Sequence, residues 1–419
     1  LVIDRLYDRA YTSQTEDGLR ILIEEDPQSR SVSAGVWAAV GSRHDPASRP
    51  GLAHFIEHLA FKGTKTRSAA QISEEIDSVG GNLNAATGRE STVFYADVPA
   101  EGLETALDLL SDLVLHPAFA QDKVKLERAV VLDEISGHED DPESVAFDRF
   151  IAGVWDEGHP LSRAVLGSKE GIEAATARDV RAHHHRMFRP SRTIIAAAGA
   201  VTADAFVDAV RARFPSQKTP PAAPSTTSPP HFSSGRRHHE RPTSQTHIYL
   251  ALPGPNAGDP DRYELEVANV ALGDGTSSRL FRAIREERGL AYTVGSTLMR
   301  YTDGGIWMLY AASSSSLAGK VRTLLEREVT RLRDEPPSDD EVALAKARLR
   351  GLYILSMESN ANRSMRLGNA AIVGREIHSH DEVLEKLDRV TTSAVHDVID
   401  RFVRPEALHV TTVGKRTDG

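Results

Sequence analysis

The stretches "FRPSRTIIAAAG" (188–199) and "VRPEALHVTTVG" (403–414) share one plan: a proline, eight residues, and a glycine, from Pro190 to Gly199 and from Pro405 to Gly414. The aliphatic and β-branched run before each glycine predicts a strand. Upstream of each, "TARDVRAHHHRMF" and "TTSAVHDVIDRF" read as an amphipathic helix opened by a threonine cap. Further back, "QDKVKLERAVVLDEI" (121–135) answers "DDEVALAKARLRGLYIL" (339–355), and strand "SVSAGVWAAVG" (31–41) answers "SQTHIYLALPG" (244–254). Self-similarity in this order is the mark of a duplicated unit. The expected fold is α+β, with two homologous domains that each carry a mostly antiparallel sheet with helices on one face. Proline and serine crowd "FPSQKTPPAAPSTTSPPHFSSGRRHHERP" (214–242), which predicts a linker over 215–242 between domains spanning 1–214 and 243–419.

The 419 residues exceed what one core fills, in keeping with two domains. With 40% hydrophobic and 26% charged residues the composition is that of a soluble globular protein. A net charge of −10 argues against a dedicated nucleic-acid binder, and no apolar run approaches the roughly 20 residues that span a bilayer. The start "LVIDRLYDRAY" lacks the basic and apolar regions of a signal peptide, so a cytoplasmic protein is expected, although a leader could have been removed before Leu1. There is no cysteine, so any metal must be held by histidine and carboxylate.

"GLAHFIEHLAFKGT" (51–64) is where such ligands gather. Leu52, Phe55, Ile56 and Leu59 have helical spacing, which puts His54, Glu57 and His58 together on the other side. Two imidazoles and a carboxylate aimed at one point suit zinc hydrolysis, which needs protein ligands plus a base for water. H-x-x-E-H alone arises by chance in roughly one sequence in ten to twenty at this composition, so a distant third ligand decides the matter. Glu127 and Glu134 are two helical turns apart on a helix lined by Val130, Val131 and Ile135. One could ligate the metal while the other hydrogen-bonds a ligand histidine. The second copy is a control: "YELEVANVALGDG" has no histidine, and Ala345 and Leu352 stand near the places of Glu127 and Glu134. The fold is therefore built without these residues, which favours a functional role.

With these residues in place the sequence resembles the pitrilysin-type (inverzincin, M16) metallopeptidases, above all short bacterial members related to the β subunit of mitochondrial processing peptidase. The likeness runs through "HFIEHLAFKGT", "GGNLNAATGRESTVFYADV", "LERAVVLDEI", "HPLSRAVLGSKEGI" and "LGDGTSSRLFRAIREERGLAYTVGS". It implies a zinc endopeptidase holding one Zn2+ per chain through His54, His58 and Glu134. Glu57 would act on the zinc-bound water, and Glu127 would support a ligand histidine. A substrate peptide would add as a strand near Asn84 and Ala85, Phe61 would line a side-chain pocket, and Arg285 and Tyr292 would stabilise the oxyanion. The two domains would close as a clamshell around an unfolded substrate. Family members selecting arginine carry two acids beyond the ligand glutamate; Asp148 matches one, and Ser144 stands at the other. The resemblance also implies a homodimer, or a heterodimer with an inactive homologue. Its alternatives are a noncatalytic core-type subunit and an active subunit needing a metal-free partner. The histidines of "HHH" (183–185) point three ways and are expected on a solvated face, and "RRHHE" (236–240) reads as a mobile surface segment.

Overall fold

The computed structural model describes residues 2–216 and 228–415. In chain order the first half comprises β1 (Ile3–Tyr7), β2 (Ala10–Gln14), β3 (Arg20–Glu25), β4 (Ser31–Ala38), α1 (Leu52–Ala60), α2 (Ala69–Ser78), β5 (Asn82–Thr87), β6 (Thr92–Pro99), α3 (Leu103–Leu115), α4 (Gln121–Asp140), α5 (Pro142–Val154), α6 (Lys169–Ala174), α7 (Ala177–Met187), β7 (Thr193–Gly199) and α8 (Ala203–Arg213). The second half comprises β8 (Gly235–Glu240), β9 (Gln245–Pro253), α9 (Arg262–Gly273), β10 (Thr293–Arg300), β11 (Gly305–Ser314), α10 (Ser315–Asp334), α11 (Asp339–Ser356), α12 (Asn360–Ile372), α13 (His380–Asp388), α14 (Thr392–Phe402) and β12 (His409–Gly414). The repeated strands are β7 and β12. Each follows a short helical turn opened by its proline, Pro190–Arg192 or Pro405–Ala407. Thr176 and Thr391 cap the preceding helices through their side-chain oxygens.

The first sheet runs β1-β2-β3-β7-β4-β6-β5 and the second β10-β11-β9-β12-β8. Among the described residues only β3 with β7 and β12 with β8 pair in parallel. In both sheets the repeated strand lies inside, flanked by the counterparts β4 and β9, and both its faces are buried. β5 is an edge strand, paired with β6 alone among the described residues.

Two compact units result, and neither follows the sequential halves. The first unit is Leu1–Ser136, Arg163–Thr227 and Ser356–Ser379; the second is Gly137–Ser162, Ser228–Leu355 and His380–Gly419. α12, from the second half, belongs to the first unit, and α5, from the first half, belongs to the second. Each covers the sheet face opposite the other helices, a layer absent from the sequence expectation. In the first unit α3 and α8 pack on Ile21, Ile23, Val36 and Ile195, while α12 packs on Leu22, Trp37, Ile194 and Ala196. In the second, α9, α10 and α14 pack on Ile248, Leu250 and Val410, while α5 packs on Tyr249, Ala251 and Val413. Alternation along each strand sends successive side chains to these two layers.

The expected linker over 215–242 is shorter than read. Its residues 217–227 lie outside the described residues, whereas Gly235–Glu240 form β8, hydrogen-bonded to β12. "RRHHE" is thus an edge strand rather than a mobile segment, because β12 offers it a backbone ladder.

Candidate metal centre

Helix α1 begins at Gly51, whose φ of 94° is left-handed and whose position a Cβ would deny, coming within 2.4 Å of the Leu166 carbonyl oxygen. Its first amides are capped from outside. The buried Asp45 carboxylate accepts from Gly51 N at 2.8 Å and Ala53 N at 2.9 Å. Burial pushes that carboxyl up to about 7, against the pull of those amides and of Arg163. Leu52, Phe55, Ile56 and Leu59 pack with Val124, Val131 and Ile135 of α4, as their spacing requires.

The opposite side of α1 carries His54, Glu57 and His58. The two imidazole rings meet edge to face with centroids 4.5 Å apart. Glu134 of α4 brings one oxygen to 3.3 Å from His58 Nε2 and the other to 3.8 Å from His54 Nε2. The three ligand atoms all lie within 4.8 Å of one another. Two nitrogens and one oxygen at this spacing fit zinc, whose bonds to such atoms are about 2.0–2.2 Å long. Burial, and then His58, depress the His54 pKa to about 4, so the imidazole is neutral as a ligand must be. The contact of His54 with Glu134 is therefore not an ordinary ion pair.

Glu127, only 2% exposed, takes the supporting place. Its Oε1 lies 3.0 Å from His58 Nδ1, and Lys62 Nζ lies 2.9 Å from Oε2. A carboxylate can only accept, so Nδ1 carries the proton and Nε2 keeps its lone pair on the side of Glu134. Glu57 accepts a hydrogen bond from the Thr87 hydroxyl at the end of β5, and burial raises its pKa in spite of that bond. The neighbouring Thr92 hydroxyl lies 3.3 Å from that of Thr87 and donates to the Val40 carbonyl.

The other expected residues fall as follows. Asn84 and Ala85 lie on the free edge strand β5, where Asn84 Oδ1 accepts from Ala85 N at 2.8 Å. Phe61 ends α1, its ring centroid 6.0 Å from that of Phe94. Asp148 belongs to the second unit and holds His138 Nε2 at 2.8 Å, and Ser144 sits in the first turn of α5, its amide capped by Asp141. Arg285 and Tyr292 are brought together in the second unit. The guanidinium lies over the Tyr292 ring at 4.2 Å and donates to its carbonyl, and Tyr292 is 76% exposed.

Two readings need correction. The histidines of 183–185 do not form a solvated face: His183 is fully buried 3.7 Å from Asp45, His184 Nε2 donates to the Val114 carbonyl, and only His185 is exposed. Burial holds His183 at about 3, so it meets Asp45 as a neutral ring. Val130, expected to line the buried side of α4, is 48% exposed. Lys62, Thr87 and Asp45 were not read from the sequence. Lys62 could have been, since it continues the four-residue spacing of His54 and His58.

A two-unit α+β chain with a His-His-Glu centre beside a buried glutamate has the frame of a metallopeptidase. The chain belongs to peptidase family M16: residues 20–169 match the model "Insulinase (Peptidase family M16)", and residues 174–349 match "Peptidase M16 inactive domain". An uncharacterized zinc protease of Mycobacterium leprae is 39% identical over 386 residues, covering 90% of this chain and 86% of that one. An uncharacterized zinc protease of Bacillus subtilis, YmxG, is 32% identical over 93% of this chain and 94% of its own. The fold matches the crystal structure of a peptidase M16 inactive domain from Pseudomonas fluorescens, with a TM-score of 0.89 at 21% identity over 97% of this chain and 98% of that one. It also matches a protease from Helicobacter pylori, with a TM-score of 0.89 at 19% identity over 96% and 99%. No helix among the described residues is long and apolar enough to cross a membrane.

Proposed function

We propose that the chain is a zinc-dependent endopeptidase acting on peptides or unfolded polypeptide segments, with Glu57 as general base. The observation that carries this reading is the convergence of His54, His58 and Glu134 on one point beside Glu57. A zinc ion held there supplies Lewis-acid polarisation of a carbonyl and lowers the pKa of water toward neutrality. Glu57 takes a proton from the attacking water as its oxygen bonds to the carbonyl carbon, and returns it to the amine as the C–N bond breaks. Thr87 occupies one oxygen of Glu57 and leaves the other for that proton.

The unpaired edge of β5 supports main-chain capture of an extended substrate at Asn84 and Ala85, beside Phe61. Arg285 and Tyr292 are proposed as oxyanion donors on the strength of the motif that holds them. A preference for basic residues at Asp148 is weakened by His138, which already occupies its carboxylate. The active species is proposed to be a homodimer holding one zinc per chain.

The test is zinc content and cleavage of a quenched basic peptide, for wild type and Glu57→Gln. The expected result is about one zinc in each and cleavage by wild type alone, with the variant's kcat down at least about 10²-fold. The description "inactive domain" over residues 174–349 favours a second, noncatalytic reading. Zinc-free wild type without turnover would support it.

A further inference from the structure

We propose that Lys62 is a positioning residue of the metal centre, acting through Glu127 on His58. The inference rests on the zinc reading above and extends it to a residue with no contact to the ligand atoms. Glu127 is buried, and a buried carboxylate keeps its charge only beside a donor or a compensating cation. Oε1 is hydrogen-bonded to His58 Nδ1 at 3.0 Å, and Oε2, which has no hydrogen-bond partner among the described residues, forms an ion pair with Lys62 Nζ at 2.9 Å. Lys62 thereby fixes which oxygen meets the imidazole and, through it, the orientation of Nε2.

The lysine is itself held. It follows α1, with its amide donating to the Leu59 carbonyl at 3.1 Å. The turn continues into Thr64, Thr66 and Arg67, which all converge on the buried Asp112 of α3. Thr64 and Thr66 donate their hydroxyls to Oδ2 at 2.5 and 2.7 Å, and Arg67 donates a guanidinium N–H at 3.0 Å. A surface lysine on a mobile stem would contribute little to a carboxylate. Here the backbone that carries the stem is anchored and the carboxylate is out of water, so screening is weak.

Charge points the same way. Glu57, Glu127 and Glu134 crowd one side of α1, and Lys62 is the ammonium set against them. A divalent cation held by His54, His58 and Glu134 would add to that compensation. Lys62 also repels a cation directly, but it does so from the far oxygen of Glu127, with a carboxylate and a ring between. Ordering of His58 is the nearer effect.

The experiment uses the full chain as wild type, Lys62→Met, Lys62→Arg, Glu127→Gln and the Lys62→Met/Glu127→Gln double variant. Zinc dissociation constants are measured by competition with a chromophoric chelator, and kcat and KM on the quenched basic peptide. Removing a direct partner of a ligand histidine costs about 10–100-fold in metal affinity, so Lys62→Met should weaken zinc by about tenfold. Lys62→Arg should restore most of that loss, and zinc-saturated Lys62→Met should show a lowered kcat at unchanged KM. In the Glu127→Gln background Lys62→Met should add nothing, because its route is already cut. Zinc binding in Lys62→Met as tight as wild type or tighter overturns the proposal, and so does an undiminished loss in the double variant. If Lys62→Met fails to fold by circular dichroism, Lys62→Gln takes its place under the same criteria. Wild type without zinc would instead sink the metal reading itself, a result distinct from a lysine without effect.

Discussion

Helices α4 and α11 are one helix built twice, and they differ where it matters. Counted from their starts at Gln121 and Asp339, Glu127 corresponds to Ala345 and Glu134 to Leu352. The exposures match: Glu127 and Ala345 are each 2% exposed, and the Glu134 side chain and Leu352 are 42% and 44% exposed. Burial at these positions is thus a property of the fold, whereas the chemistry is a property of the residue. At the buried position alanine needs nothing, but glutamate needs His58 and Lys62 to offset its desolvation. At the half-exposed position leucine leaves apolar surface in water, where glutamate reaches two histidines. α9, the counterpart of α1, offers no histidine to either.

The sharpest way to break this comparison is to make the first unit like the second. Glu134→Leu should abolish stoichiometric zinc binding, a loss beyond the roughly 10–100-fold that removal of a supporting partner costs, while the circular dichroism spectrum stays unchanged. The reverse graft, Leu352→Glu, should bring no second zinc, because a single carboxylate without imidazoles is not a site. A second zinc in that variant would mean that α9 and α11 supply ligands of their own.

The helices lent between units show a second difference, this time of size. Trp37 on β4 pairs with Ile194, five residues before Gly199; Ala251 on β9 pairs with His409, five before Gly414. The helix residues seated over these strands are the ninth of each helix, Gly368 in α12 and Phe150 in α5. In the first unit the sheet supplies the bulk and the helix the gap: a Cβ on Gly368 would fall 2.2 Å from the Trp37 ring. In the second, Phe150 supplies the bulk, stacked on Tyr249, and the sheet offers alanine. Trp37→Ala should cost about 3–5 kcal/mol, and Gly368→Phe alone should prevent α12 from docking. The double variant should recover about 1–3 kcal/mol relative to the sum in chemical denaturation. Simple additivity would show that exchange of size is not what seats these helices.

Much of this was legible in the sequence, for reasons that particular residues make plain. The proline-to-glycine interval exposed the duplication because a strand of fixed length ends at a residue with φ of 126° or 159°, at Gly199 and Gly414. His54, Glu57 and His58 were legible because helical spacing is local, and Glu127 and Glu134 because they repeat at two turns. The reciprocal loan of α5 and α12 was not legible. Each is an ordinary amphipathic helix in its own half, and nothing local says which sheet it covers. Nor was the burial of His183 legible, since the acid it meets, Asp45, lies far back along the chain. Lys62 and Thr87 belong to the same class: their partners Glu127 and Glu57 are fixed by tertiary packing.

Asp45 gives the smallest of the expected effects and compares the two helix caps. α9 starts at Asp261, a half-buried acid that makes no side-chain cap bond and accepts from Arg401 at 2.7 Å; α1 is capped by an acid whose side chain has no exposed surface, facing a neutral His183. The carboxyl of Asp45 rises from 3.8 to about 7 on folding, chiefly through burial, so the native state holds this proton more tightly than the unfolded chain. Its contribution to stability is therefore complete below about pH 4 and is lost as pH climbs through 7. Asp45→Asn removes that titration. It also removes one acceptor for the α1 amides, which lowers stability by about 1–3 kcal/mol at any pH. Urea unfolding of wild type and Asp45→Asn, both stripped of metal, should show the wild-type advantage shrinking between pH 4.5 and 7.5. A wild-type advantage that grows with pH would mean that the amides of Gly51 and Ala53 outweigh burial, and that α1 is capped by a carboxylate ionised throughout.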